Sequence, residues 1–380
     1  MGHVVALLLL GQEGPSPAEQ CIGQARQAAA RDFLERALEL PEIGQIIVAT
    51  SDAVWAASLR DALGSDRIVF DLDAPEGPFH FGRRLAGLVE TYGVQRALYV
   101  GGGSVPLLGG GGLAEAIARL REGAVVTNNL HSSDWAVFAP AHAVVGLADR
   151  LERDNALAWV LVHDAGFSAD VLPRSAATQC DLDTPTDAVI AALHPAAGRH
   201  LRQAAQMWAE RSRRVRANLG AAARVLVRQG GHVLVAGRIG AATWRDLETR
   251  TACWVRVFAE ERGMAASGRL VRGEVRSLVG AYLSLVGPAA FFETLASLAE
   301  AVFLDTRVLM AQRGNWPPAA DRYASDLLCA AEVSDPYWRE FTACAAAARV
   351  PVLLGGHSLM AGGLLALLET LEAGVHLNNR

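Results

Sequence analysis

Short apolar runs alternate with helix-like stretches through the first half of this 380-residue chain. The apolar runs lie at residues 4–10, 45–50, 67–70, 97–100, 123–129 and 135–140, and helix-like stretches at 17–40, 53–63, 79–92 and 113–121 separate most of them. Continuous apolar strands that alternate with helices are typical of a parallel sheet covered on both faces. We therefore expect residues 1–195 to form a doubly wound, mostly parallel α/β domain.

The second half has a different pattern. Long helical periods lie at residues 198–229 and 241–262 and at several places between 270 and 348, and short strands are expected at 232–236 and 350–354. We read 291–311 as one apolar helix, a core element or a dimer face. The glycine turns GRIG and GGHS are read as packing turns, because the earlier glycine and the spaced acid of a dinucleotide fingerprint are not found. Residues 196–380 are predicted to be a mostly helical domain with a small β element.

Charge and residue usage exclude several kinds of function. The formal net charge is −5, so no nucleic-acid polymer and no anionic membrane is expected as a partner. All 35 basic residues are arginine, which excludes Schiff-base chemistry and the lysine of a P-loop or kinase. Arginine, backbone amides or a metal would have to hold any anion.

Cysteine usage and apolar segments indicate the compartment. The five cysteines contain no Cys-x-x-Cys pair, which favours a reducing compartment over a disulfide framework. The first apolar run is short and reads as a buried strand, and no segment is expected to reach the length of a membrane span. We expect a cytoplasmic location.

The polar residues that follow the predicted strands are the candidate functional residues. In an open parallel sheet the ligand binds outside the carboxyl ends of the strands. Here those ends carry glycine-rich, acidic and amide-bearing sequences: GQEG at 11–14, GGGS at 101–104, TNN at 127–129 and DLD at 181–183. Asp181 and Asp183 would lie on one side of a late strand end, where they suit a divalent metal. The alternative is helix capping, with Asp183 or Thr184 capping a helix that begins at Pro185.

Two further segments have two interpretations each. Polar residues crowd 125–138, and they either read an acceptor or satisfy the backbone of an Asx-rich turn. Residues 153–161 either form a helix start, capped by Asp154 or Asn155 with Trp159 in the core, or contribute to the functional site.

GGGSVPLL and DLDTPTDA, in this order after a first strand and glycine loop, resemble the nucleotidyltransferase-like family. This family includes the MobA-like nucleotidyltransferases and the wider GT-A nucleotide-diphospho-sugar fold, and the resemblance covers residues 3–193 and none of the second half. The family's first loop is retained here only as Gly11 and Gly14. Ser104 stands where the family's central motif has a metal-binding aspartate.

The resemblance implies a magnesium-dependent enzyme that transfers a nucleoside monophosphate from an NTP to a small phosphorylated or hydroxyl acceptor. Asp183 would bind the magnesium with Asp181 behind it. The expected nucleotide contacts are Gly11, Gly14, Gly102, Gly103 and Ser104, and the expected acceptor contacts are Asn128, Asn129, Ser133 and Asp134. A glycosyltransferase with a nucleotide-sugar donor and a non-catalytic ligand-binding scaffold are the alternatives, and the helical domain is a candidate for homo-oligomer contacts.

Overall fold

The computed structural model describes residues 2–73 and 79–375. Its strands are β1 Val4–Leu10, β2 Ile43–Thr50, β3 Ile68–Leu72, β4 Ala97–Gly101, β5 Ala124–Thr127, β6 Trp135–Ala139, β7 Ser168–Val171, β8 His232–Gly237, β9 Trp254–Ala259, β10 Ala301–Asp305 and β11 Val352–Gly355.

The α-helices are α1 Pro17–Leu38, α2 Ala53–Leu63, α3 Phe81–Thr91, α4 Gly110–Arg119, α5 Leu157–Ala165, α6 Ala176–Gln179, α7 Pro185–Leu193, α8 Arg199–Met207, α9 Ala209–Leu226, α10 Ala241–Arg250, α11 Leu278–Leu298, α12 Thr306–Gln312, α13 Ala319–Asp326, α14 Pro336–Ala347 and α15 Leu364–Glu372. Short 3₁₀ segments lie at Ala141–Arg150, Asp154–Ala156 and Ala330–Glu332, and Leu359–Gly363 forms a π-helix.

The chain forms two compact units that are interleaved in sequence. The first unit contains residues up to 12, residues 26–181 and residues 198–201. The second unit contains residues 13–25, residues 182–197 and the chain from 202 onward. The division therefore falls at several places, one of them inside α1 and another between Asp181 and Leu182, whereas the sequence suggested one break after residue 195.

The first unit is built on a seven-stranded sheet with the order β3-β2-β1-β4-β6-β5-β7. All neighbouring strands are parallel except β6, which runs antiparallel to both β4 and β5. The doubly wound, mostly parallel fold predicted from the sequence is confirmed.

Alternate residues of the central strands enter two separate cores. Leu8 of β1 and Val48 of β2 belong to one hydrophobic cluster, and Leu7 and Ile47 belong to the other. Each of these side chains is at most 1% exposed. Because successive side chains in a strand point to opposite faces, a strand with both faces covered has to be apolar throughout. This is the physical origin of the run VVALLLL.

The second unit contains its own four-stranded parallel sheet, with the order β11-β10-β8-β9. Two sequence predictions are wrong here. Residues 241–262 are a helix followed by β9, and residues 291–311 are the end of α11, then β10 and α12. All five residues of β10 are buried, and a short buried strand cannot be distinguished from a buried helical segment by its apolar pattern.

Helix α11 also corrects an expectation about segment length. It has 21 residues, its most apolar window has a mean hydropathy of 1.4, and 33% of that window is buried. By length and composition it could cross a membrane, although core helices meet the same criteria. Gly287 has non-helical dihedral angles within it and is followed by Pro288.

Candidate functional site

The central and late motifs of the sequence meet beside the carboxyl end of β4. Ser104 and Asp181 form an isolated antiparallel β-bridge. The turn before Ser104 is tight, since both its backbone N–H and its hydroxyl donate to the carbonyl of Gly101, at 3.1 and 2.8 Å. A Cβ on Gly102 would lie 2.2 Å from Leu10 Cδ1 and 3.2 Å from Leu10 Cα, so the turn packs closely against the end of β1. Asp181 follows the short helix α6 instead of a strand, which corrects the expected strand end.

The amide-rich turn after β5 lies against the same strand end. Asn128 donates from Nδ2 to Asp134 Oδ2 at 2.8 Å and accepts at Oδ1 from the Asp134 backbone N–H at 3.3 Å. The Gly101 N–H donates to the carbonyl of Asp134 at 3.3 Å. Asn129 accepts from the His131 N–H at 3.0 Å, and Ser133, which is fully buried, accepts from the Ala158 N–H at 3.1 Å. The turn therefore satisfies much of its own backbone while it holds Asp134 beside β4.

The hydroxyl of Tyr99, the third residue of β4, contacts one carboxylate and is influenced by the charges of two others. The hydroxyl donates to Asp154 Oδ2 at 2.9 Å. Burial raises the pKa of Tyr99 well above its ordinary value, and the charges of Asp154, Asp134 and Asp181 raise it further. Tyr99 therefore stays protonated. Asp154 contacts its hydroxyl, and Asp134 and Asp181 lie at the same strand end through their backbone contacts with Gly101 and Ser104.

The sequence interpretation favoured a capping role for Asp154 over a site role, and it misplaced Trp159. Asp154 was read as a helix cap, but α5 begins at Leu157, and Ala156 precedes it without a side-chain cap. Trp159 is 41% exposed and stacks on His163 with the ring centres 3.6 Å apart. Asp154 lies in a short 3₁₀ segment, where a charged residue follows no periodic pattern in the sequence. Only its contact with Tyr99 identifies Asp154 as a candidate site residue.

Asp183, the strongest sequence candidate, lies at the start of α7 in the second unit and is exposed. The cap of that helix is Thr184: its hydroxyl accepts from the Asp187 N–H, and Asp187 accepts from the Thr184 N–H at 2.8 Å. The capping alternative is therefore correct for Thr184 and Asp187. The assignment of Asp183 to a metal stays a prediction.

The first loop presents acidic groups where phosphate contacts were expected. A Cβ on Gly14 would lie 2.3 Å from Glu19 Oε1, and the Glu19 carboxylate accepts from the Ser16 N–H at 3.2 Å. Gly11 is exposed, with nothing within 4 Å of a Cβ built on it. The roles of Gly11 and Gly14 stay predictions, and the nearby carboxylate of Glu19 works against a phosphate at Gly14.

In the described residues 2–73 and 79–375, one group of three side chains brings metal-ligand atoms within 4.8 Å of one another: Asp32, Glu35 and His200. Asp32 accepts from the His200 and Leu201 backbone N–H groups, both at 3.0 Å. Glu35 accepts from Arg199 Nη2 at 2.8 Å. Backbone amides thus already hydrogen-bond Asp32 and a guanidinium pairs with Glu35, and these contacts hold the start of α8 on α1.

The fold is that of a doubly wound α/β protein, and the acidic and amide groups beside β4 form a polar candidate site at the carboxyl ends of its strands. No protein-family model matches the chain, and no curated protein matches it.

Several solved structures are similar to the first half of the chain. A cytidylyltransferase from Leptospira borgpetersenii is 11% identical with a TM-score of 0.38, covering 55% of this chain and 95% of its own. A CMP:2-keto-3-deoxy-manno-octonic acid synthetase complexed with CTP is 13% identical with a TM-score of 0.33, covering 48% and 94%. A 4-diphosphocytidyl-2C-methyl-D-erythritol synthase from Anaerococcus prevotii is 12% identical with a TM-score of 0.32, covering 45% and 87%.

Proposed function

We propose that the first unit transfers a nucleoside monophosphate from an NTP to a small phosphorylated or hydroxyl acceptor. The observation that carries this proposal is the meeting of Ser104 and Asp181 beside β4, with Asp134 and Asp154 around Tyr99. Nucleotidyl transfer needs mainly charge neutralisation and in-line positioning. A cluster of carboxylates at a strand edge suits the metal that supplies both.

The oxygen donors present at this edge fit magnesium. Mg²⁺ keeps several waters and is held by one or two carboxylates together with substrate phosphates, so it does not need a closed cage of protein ligands. Ser104 is buried and turned onto its own backbone. Asp181, with Asp134 or Asp154, would therefore hold the ion in place of the carboxylate that Ser104 lacks. When bound, the magnesium would neutralise the phosphates and polarise the reacting phosphoryl group.

The other residues of this edge would position the substrates. Gly102, Gly103 and the backbone of Ser104 offer close approach to the nucleotide. Asn128 is buried with its amide bonded to Asp134 and would position that carboxylate. Asn129 would offer its amide group to the acceptor, and the exposed ring of Trp159 is a neighbouring surface for stacking. A cytoplasmic location agrees with small-molecule chemistry of this kind and is part of the proposal.

The experiment compares a variant of a site carboxylate with a variant of a carboxylate elsewhere on the sheet. Full-length protein with Mg²⁺ is tested for stabilisation by each NTP and then for pyrophosphate release with sugar phosphates and alcohols as acceptors. We expect Asp181→Asn to lower pyrophosphate release at least a hundredfold, because one metal-binding charge is lost. Asp170→Asn is the matched control and should keep wild-type activity; Asp170 is a half-buried carboxylate on β7 that pairs with Arg119.

Asp183→Asn decides which carboxylate of the late motif matters. A loss equal to that of Asp181→Asn would support the family-derived role of Asp183, and wild-type activity would leave the role to Asp181. Release of a nucleoside diphosphate from nucleotide sugars, without pyrophosphate from NTPs, would favour a glycosyltransferase. If no NTP or nucleotide sugar stabilises the wild type, the proposal is wrong and the unit is a scaffold.

A further inference from the structure

The sheet of the second unit has a point at which its strand order reverses. The chain passes from β8 to β9 on one side and then to β10 and β11 on the other side of β8. In open parallel sheets, ligands bind in the crevice outside the carboxyl ends of the two strands at such a reversal. Here those strands are β8 and β10, which end at Gly237 and Asp305.

The two strand ends are in direct contact and hold an arginine. Arg238 donates from Nε and Nη2 to the carboxylate of Asp305, at 2.5 and 3.1 Å, so that Nη1 takes no part in the pairing. Asp305 is fully buried, which alone would raise its pKa, but Arg238 outweighs the burial and the pKa lies below its ordinary value. The ion pair fixes Arg238 at the switch point, with 15% of its side chain exposed.

A second arginine lies over the glycine turn between β8 and α10. The Cζ of Arg262 is 3.4 Å from the position of a Cβ on Gly240. Within the described part of the chain, the Arg262 guanidinium forms no ion pair and no hydrogen bond. A guanidinium placed against a glycine turn without a carboxylate partner is available to an anionic ligand.

The turn after β11 lies on the other side of the same strand edge. His357 Nδ1 lies 3.2 Å from the carbonyl of Arg238, and a Cβ on Gly356 would lie 3.8 Å from Arg238 Nη2. Burial, and then the charge of Arg238, lower the pKa of His357. Because a carbonyl only accepts, Nδ1 of the neutral ring carries the proton, and Nε2 is left to accept a hydrogen bond from a protonated phosphate oxygen or a hydroxyl of the ligand.

We propose that this edge, formed by Arg238, Arg262, Gly240 and His357, binds the phosphate group of a small phosphorylated molecule. Guanidinium groups match phosphate geometry and bind it with charge-assisted hydrogen bonds. The glycines of the turn allow the ligand to approach the backbone closely. Gly240 is the N-cap of α10 and carries no side-chain cap, so backbone N–H groups add to the arginines.

The residues around this turn also indicate that a ribose does not determine affinity. The sequence interpretation found no spaced acid after this turn, but Glu260 directly follows β9, at about the 20-residue spacing that a ribose-binding acid has. Its carboxylate accepts from the Ser277 hydroxyl at 2.6 Å and from the Leu278 N–H at 2.9 Å, and so caps α11. Because this acid is already engaged, we expect the phosphate, and not a ribose, to determine affinity.

The test measures phosphate binding by the full-length protein without divalent metal. Inorganic phosphate, pyrophosphate, AMP and NAD are titrated by calorimetry in EDTA, so that a metal-dependent site in the first unit does not contribute. We expect one site, with AMP and NAD no tighter than pyrophosphate. Arg262→Gln should weaken pyrophosphate binding about tenfold or more, because a charge-assisted bond is lost.

Arg224→Gln is the matched control. Arg224 is an exposed arginine of the same unit near the end of α9, which leads into the amino end of β8 and therefore lies at the opposite edge. Wild-type affinity in Arg224→Gln, with unchanged melting temperatures in both variants, would support the site. Equal weakening in the two variants, absence of binding in the wild type, or tighter binding of NAD than of pyrophosphate would overturn the proposal.

Discussion

Asp187 shows how one residue can be both a cap and a source of pH dependence. Its Oδ2 accepts from the Thr184 N–H and hydroxyl, each at 2.8 Å, while its buried Oδ1 has no hydrogen-bond partner among the residues that the structure describes. Burial raises the pKa of Asp187 well above its ordinary value, and the neighbouring charge of Asp183 raises it further. The cap geometry was readable from the sequence, but the burial that changes its chemistry was not.

We expect the stability of the protein to depend on pH through this carboxyl group. A carboxyl group with a raised folded-state pKa holds its proton more tightly in the folded chain than in the unfolded chain. Its contribution is therefore fully present below the unfolded pKa and is lost as the pH rises through the folded pKa. The Asp187→Asn variant has no such carboxyl group, so it does not lose this stability as the pH rises. The melting temperature of the variant should therefore rise relative to that of the wild type between pH 4 and pH 7.

Thermal unfolding of both proteins across that pH range measures the effect. Asp66→Asn, a change of the same kind in the 64–67 turn of the first unit, should follow the wild type at every pH. A constant difference between Asp187→Asn and the wild type would show that Asp187 is ionised in the folded protein throughout.

The two strand ends of the second sheet depend on one glycine. Gly237 ends β8 with a φ of 128°, a conformation that other residues rarely adopt. A Cβ there would lie 2.3 Å from the Cβ of Asp305, the last residue of β10. Gly237→Ala would therefore strain the backbone and push the two strand ends apart.

We expect Gly237→Ala to lower the free energy of unfolding by at least about 2 kcal/mol, measured by urea denaturation. Gly109→Ala is the matched control. Gly109 has a φ of −74° and nothing lies within 4 Å of a Cβ built on it, so the change should stay within about 0.5 kcal/mol. An equal effect at both glycines would contradict the close packing of β8 and β10.

Strands were predictable from the sequence where both of their faces are buried and helices clearly separate them. VVALLLL and the strands at 45–50 and 97–100 have this pattern and were placed correctly, and they define the first sheet. β9 and β10 were missed for a physical reason. β9 is half exposed and continues a helical period, and β10 is a five-residue buried run directly after an apolar helix.

The candidate site was predictable only in part. Ser104 and Asp181 come from motifs about 75 residues apart, and the glycines and the proline that mark those motifs made both visible in the sequence. Asp154 and Arg262 carry no local signal. Their importance comes from the hydroxyl or the glycine turn against which the fold places them, and no spacing along the chain encodes that contact.

The whole molecule divides by packing in a way that the sequence did not show. α7 lies before the predicted break at 195, but residues 185–192 of it are buried and the helix belongs to the second unit. A fragment of residues 182–380 should therefore be more helical by circular dichroism and melt more cooperatively than a fragment of residues 196–380. The shorter fragment loses the burial of Val189 and Ile190, which is about 1.5–3 kcal/mol for each side chain. Equal melting behaviour of the two fragments would show that the break at 195 is the real boundary.

Because the two units are interleaved in sequence, the second unit cannot be completed until late in synthesis. Residues 13–25 are synthesised long before strand β11 of the same unit, which lies at Val352–Gly355. At roughly 5–20 residues per second, the early segment waits on the order of 20–70 seconds for that strand. In a nascent chain stalled before residue 350, the first half of α1 should therefore be exposed to proteases and chaperones. The exposure should end when synthesis resumes and the chain is completed.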